Sequence, residues 1–233
     1  MRKLVITLLI VPAFWRFAAA QTAPTADDIL NKYFTAIGGR KALANVKEIS
    51  MGVSIQLNGN AMQLLIRQEE PGKFLTTVNA NGNVFYKTIS DGSTVVMTDA
   101  QGTHPIEGSK AQGMLIQNRI CPELHFAEHG IKTTVIGPEQ INGRSTYKLA
   151  HTTADGSYTC SNNFDAETGL KVQQTRLNPN GTTETLQFND YKEIKGVNYT
   201  FTITSRVSQN QVVIKVDNLN VNKGVSDSEF SVQ

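Results

Sequence analysis

Between Glu48 and Thr98 the chain is cut into short extended pieces by turn-forming pairs, a pattern that rules out a helical bundle. Met51, Val53, Ile55 and Leu57 alternate with small or polar residues, and Asn58-Gly59 follows. Met62, Leu64 and Ile66 alternate in the next piece, which ends near Pro71-Gly72. Phe74 to Ala80, Val84 to Ser90 and Thr94 to Thr98 come next, separated by Asn81-Gly82 and Asp91-Gly92. A period of two puts alternate side chains on one face of a strand. Asn-Gly and Asp-Gly supply the positive φ of tight hairpins. The stretch predicts an antiparallel meander with one apolar face that something must cover.

The flanking segments supply candidates for that cover. Thr25 stands as an N-cap three residues before Asp28, and Ile29, Leu30, Tyr33, Phe34 and Ile37 repeat at helical spacing before Gly38-Gly39 stops the helix. Residues 103–130 interrupt the strands, with short helices predicted over Gly113 to Ile120 and Glu123 to His129. Met114, Leu115 and Ile116 are the candidate lid residues there. Strands resume at Ile131 and run to Val221, with turns at Gly137-Pro138, Asn142-Gly143, Asp155-Gly156, 165–169, 178–181 and Gly196. Val225 and Phe230 are apolar anchors in the polar end of the chain. About 11 strands is too many for a flat open sheet, so the expected class is α+β, a strongly curved antiparallel half-barrel. An N-terminal helix and a short helical insert would cover its concave face. The candidate cavity wall is Met51, Val53, Ile55, Leu57, Met62, Leu64, Ile66, Phe74, Phe85, Val95 and Met97. Each of these also reads as an ordinary residue of a filled core.

Residues 1–20 look like an export leader. Arg2 and Lys3 precede an apolar run from Leu4 to Phe14, and Ala18-Ala19-Ala20 places the cut before Gln21. The run is shorter than the ~20 residues of a membrane span. Gln21 offers no thiol for a lipid anchor. Residues 21–233 are expected to form one soluble, monomeric domain in the periplasm, without permanent membrane insertion. Removing Arg2, Lys3 and Arg16 leaves 19 basic against 20 acidic residues, so the mature chain is near neutral and shows no nucleic-acid footprint. Many strands are shorter than the ~9–11 residues a transmembrane barrel uses. Cys121 and Cys160 are candidates for a disulfide in an oxidising compartment, or else two independent thiols.

Three phrases carry a family resemblance. They are Ile29-Leu30-x-Lys32-Tyr33-x-x-Ala36-Ile37-Gly38-Gly39-x-x-Ala42-Leu43, then Asn163-Phe164-Asp165-x-Glu167-Thr168-Gly169-Leu170, then Asp190-Tyr191-Lys192-Glu193-x-x-Gly196-Val197 with Val221-Asn222-x-Gly224-Val225-Ser226-Asp227-x-x-Phe230. Together they resemble the outer-membrane lipoprotein-sorting proteins LolA and LolB, in the exported form common in Bacteroidetes. The resemblance implies a half-barrel with helices in its mouth and an apolar cavity that shields the acyl chains of a lipoprotein. Arg67 stands on an early strand, where the family carrier has a functionally important arginine, but no motif joins the two.

Two function classes follow. One is a non-catalytic carrier for the acyl chains of lipids or lipoproteins, with no cofactor. The other is an envelope sensor or protein-interaction module on the same fold, with an envelope protein as partner. A distant third is a zinc hydrolase, because His125-Phe126-Ala127-Glu128-His129 fits His-x-x-Glu-His. There His125 and His129 would hold zinc with Glu128 as base, a geometry that requires a helix.

Overall fold

The computed structural model describes residues 23–57, 60–80, 82–177 and 182–232. The leader with its cut before Gln21, the Asn58-Gly59 turn and the 178–181 turn lie outside the described residues.

Helix α1 (Ala26–Ala36) opens on the expected capping box: Asp28 N donates to Thr25 Oγ1 at 3.2 Å and Thr25 N to Asp28 Oδ2 at 3.0 Å. Its end is a Schellman motif, with Gly39 N donating to Phe34 O at 2.7 Å and Gly38 N to Thr35 O at 3.2 Å. Gly38 has φ +122°, and a Cβ there would sit 2.2 Å from Gly196 O. Only glycine lets the helix end come this close to a strand turn. A short helix α2 (Arg40–Ala44) follows.

Among the described residues thirteen strands then form one antiparallel sheet. They are β1 (Glu48–Leu57), β2 (Asn60–Glu69), β3 (Lys73–Ala80), β4 (Asn83–Asp91), β5 (Val95–Asp99), β6 (Gly102–Ile106), β7 (Lys132–Ile141), β8 (Arg144–Thr152), β9 (Thr159–Asp165), β10 (Lys171–Leu177), β11 (Thr183–Ile194), β12 (Val197–Val207) and β13 (Asn210–Val221). The spatial order is β6-β5-β4-β3-β2-β1-β13-β12-β11-β10-β9-β8-β7, so the first and last strands meet in the middle and the edges are β6 and β7. Between those edges run helix α3 (Gly108–Gln117) and the 3₁₀ turn Pro122–His125. An insert joining opposite edges of a curled sheet has to cross its mouth.

Two stretches read as turns are strand, and the first of them raises the count above the eleven expected. Gly102–Ile106, read as a turn, is an edge strand carrying Pro105. Gly137-Pro138, also read as a turn, lies inside β7, where a bulge absorbs it. Proline lacks a donor and is tolerated on sheet edges and at bulges.

The main core lies where α1 meets the sheet. Ile29, Leu30, Tyr33, Phe34 and Ile37 pack with Ile49, Leu149, Phe164, Val197 and Val221. Full burial of each large apolar side chain contributes about 1.5–3 kcal/mol. The opposite face has its own cover: Phe230, in the 3₁₀ turn Asp227–Phe230, packs with Leu75 and Ile89, and Val225 joins them. Both anchors expected at the chain end are therefore seated.

Candidate functional site

Cross-strand partners share a face, and one such face converges on a cavity of ≈ 400 Å³. Met51 and Val53 of β1 stand beside Ile66 of β2 and Leu219 and Val216 of β13. Thr76 of β3, Ile203 of β12, Phe188 of β11 and Arg176 of β10 line the same space. Seven strands can face one small cavity only if the sheet is curled around it. Tyr33, Ile37, Leu43 and Val46 close one side.

Residues 117–123 of the insert form the roof. Polar contacts hold it on both flanks. On the β2 side, Gln68 Nε2 donates to Asn118 O at 2.9 Å, and Glu70 accepts from Ile120 N at 2.8 Å and Arg119 Nε at 2.5 Å. On the other side, Glu123 Oε1 takes Lys171 Nζ at 2.7 Å and Asn162 Nδ2 at 3.1 Å. Lys171 reaches the cavity through a β-bulge. Lys171 pairs with Phe164 and Gln173 with Asn163, leaving Val172 as the extra residue, so Lys171 turns to the same side as Gln174 and Arg176.

Burial works to raise Glu123, but the Lys171 ammonium and its hydrogen bond outweigh it and hold the carboxyl below its ordinary value. Burial likewise works to lower Lys171, and Glu123 reverses it, so the amine is raised. The pair is thus ionised. Around it, burial pushes up the Cys121 thiol, the Tyr33 and Tyr191 phenols, and the Cys160 thiol to about 11. The Tyr199 hydroxyl is buried at the cavity without a hydrogen-bond partner.

No family model matches the sequence, and no curated protein does. Solved structures resemble it in shape. A putative outer membrane lipoprotein-sorting protein domain from Vibrio parahaemolyticus superimposes with a TM-score of 0.61 at 12% identity, over 82% of this chain and 93% of that one. A LolA superfamily protein from Nitrosomonas europaea gives 0.61 at 13% identity, over 90% of this chain and 98% of that one. The chain has the LolA fold.

Within this LolA fold the expected wall residues divide. Met51, Val53 and Ile66 line the cavity. Ile55, Met62 and Leu64 share their face by pairing but lie beyond it. The Leu57 side chain is outside the described residues. Phe74 and Val95 fill a separate core under α3 with Ile106 and Ala111, so they are packing residues and not wall. Met97 lines a neighbouring chamber. Phe85 is 67% exposed, because Val78 pairs with Tyr86 and Asn79 with Val84, leaving Phe85 as a bulge residue turned outward.

The lid assignment shifts as well. Ile116 is buried with Phe126, Ile131 and Tyr158, and Leu115 packs toward Phe74 and Val95. Met114 faces the neighbouring chamber. The roof begins only at Gln117 because the helix forms earlier than expected, from Gly108. Cys121 and Cys160 are free thiols, not a disulfide. Cys160 Sγ lies 3.3 Å from Tyr158 Oη, and Cys121 Sγ lies 3.9 Å from Glu123 Oε2.

The His-x-x-Glu-His stretch is not the helix that zinc hydrolysis needs. It passes from the end of a 3₁₀ turn into irregular turns. Arg119 sits against both imidazoles, Nη2 2.9 Å from His125 Nδ1 and Nη1 3.4 Å from His129 Nε2, and Glu128 pairs with His125 at 3.0 Å. A guanidinium occupies the place a zinc ion would take. Arg67 lies on the outer face, paired with Glu229, away from the cavity.

Sequence reasoning missed Glu123, Lys171, Arg176 and the whole β11–β13 wall. Alternation in Val212, Ile214 and Val216 was a usable signal for the wall.

Proposed function

We propose that this protein is an exported, non-catalytic carrier or binding protein for an acyl chain of a lipid or lipoprotein. The observation that carries this reading is the roofed cavity of ≈ 400 Å³ with Met51, Val53, Ile66, Ile203, Ile214 and Leu219 in its wall. That volume falls in the roughly 300–1,000 Å³ range of small-ligand sites. The likeness in fold to lipoprotein-sorting proteins supports the same reading. A non-catalytic role is supported by the charges: Glu123 is spent on Lys171 and Glu184 on Arg176, and both thiols are held protonated.

Native mass spectrometry of the protein isolated from its own host, followed by organic extraction, tests the proposal. A discrete added mass that resolves into an acylated compound is expected. A bare chain that also takes up no added lipid overturns it. A second reading, a docking module for an envelope protein, rests on Val84 and Phe85, adjacent and 61% and 67% exposed. It predicts that Phe85→Ser abolishes partner capture while acyl binding is absent from the start.

A further inference from the structure

A second chamber of ≈ 480 Å³ abuts the first. The two share Gln117, Tyr158, Gln174 and Arg176 in their linings, so what fills one ends beside the other. The chambers differ in character. The inner one is walled mainly by apolar strand residues, and its charges are paired, Glu123 with Lys171 and Arg119 with Glu70. The outer one holds Lys110 and Arg176, the hydroxyls of Ser157 and Thr159, and, among the described residues, no aspartate or glutamate. Arg176 is ion-paired with its cross-strand partner Glu184 of β11, with Nη2–Oε2 at 2.6 Å and Nε–Oε2 at 2.8 Å. Lys110 is exposed at the start of α3 and makes no ion pair among the described residues. A chamber with an unpaired lysine and no acid among its described lining residues, placed at the end of a mainly apolar one, is complementary to an amphiphile with an anionic head.

We infer that the ligand is a single-chain amphiphile with an anionic head, its chain in the inner chamber and its carboxylate or phosphate in the outer chamber against Lys110 and Arg176. This rests on the acyl-binding reading above and narrows it. The inner volume suits one chain, and the charge pattern selects the head. A fatty acid and a lysophospholipid share this chemistry; a neutral alcohol of the same chain length lacks it.

Displacement of a fluorescent acyl probe by palmitate, a lysophosphatidylglycerol and hexadecanol tests the inference. Either anionic ligand should compete at least about tenfold better than hexadecanol, the size of effect a charge-assisted hydrogen bond supplies. That preference should collapse in Lys110→Glu and shrink in about 0.5 M salt. It should persist in Lys215→Glu, which changes the same charge on the exposed side of β13. The stronger of the two anionic ligands identifies the head as carboxylate or phosphodiester. Equal binding of hexadecanol and palmitate by the unmodified protein overturns the head-group assignment and leaves acyl binding standing. An unchanged preference in Lys110→Glu overturns it too. Failure of the protein to bind the probe or any of the three ligands sinks the acyl-binding reading and this inference with it.

Discussion

At the scale of single residues, the cavity depends on Glu123 and Lys171. Removing one partner of a buried ion pair strands the other charge, so Lys171→Met should cost about 3–5 kcal/mol in urea unfolding, while Glu123→Leu with Lys171→Met should recover much of it. The pH dependence has a definite sign. Glu123 is lowered from 4.5, so its contribution is complete above that value and lost as acid passes down through the lowered one. Lys171 is raised from 10.5, so its contribution is complete below that value and lost as alkali passes up through the raised one. His151 adds a second acid effect. It is buried beside Phe126 and Thr133, and burial lowers it from 6.5 to about 4. Between those values the unfolded chain takes up a proton that the folded chain refuses. Stability should therefore fall by roughly 3 kcal/mol on acidification across that range. Thermal melts at about pH 7 and pH 5 should show the fall, and His151→Gln should flatten it. Met51, Val53 and Ile66 were legible in the sequence because alternation places them directly. Lys171 was not, because its orientation depends on a bulge at Val172 that composition does not announce.

At the scale of elements, the local signals held and the assumption of unbroken alternation failed. Helix α1 was readable at both ends, since a capping box and a Gly-Gly stop are contained within the segment they terminate. Gly38 also carries a long-range role that its local role conceals. Gly38→Ala should cost at least about 2 kcal/mol, because it combines left-handed strain with a collision against the Gly196 carbonyl. Gly39→Ala, at φ +85° and ψ 152° with nothing within 4 Å, carries backbone strain of roughly 1–3 kcal/mol without the collision and should cost less than Gly38→Ala. Denaturant midpoints of the two variants check the difference; equal losses would remove the close approach as the cause. Phe85 and Ile136 show where period two breaks. Each is the extra residue of a bulge, and each is more than half exposed. One was assigned to the wall and the other to a strand end because an inserted residue reverses every face beyond it.

At the scale of the whole molecule, the sequence made a curled meander legible but not the pairing of β1 with β13, in which Ile49 meets Val221. Nothing local marks that contact; it is forced only when both half-sheets need a partner edge. Read from β7 through β13 to β1 and on to β6, however, the strands follow chain order with one step, from last to first. A chain reopened in the exposed turn near Glu128, with its present ends joined by a flexible linker, should keep its circular dichroism spectrum. Loss of the sheet signal would show that the order of synthesis matters to the fold. Such a chain would still differ from the natural one in one respect. In circular terms the protein is an unbroken meander whose ends were moved to its centre, and the insert is the clasp left across its throat. The clasp has a fixed length, so the throat has a widest gape set by the covalent chain itself, whatever molecule asks to enter.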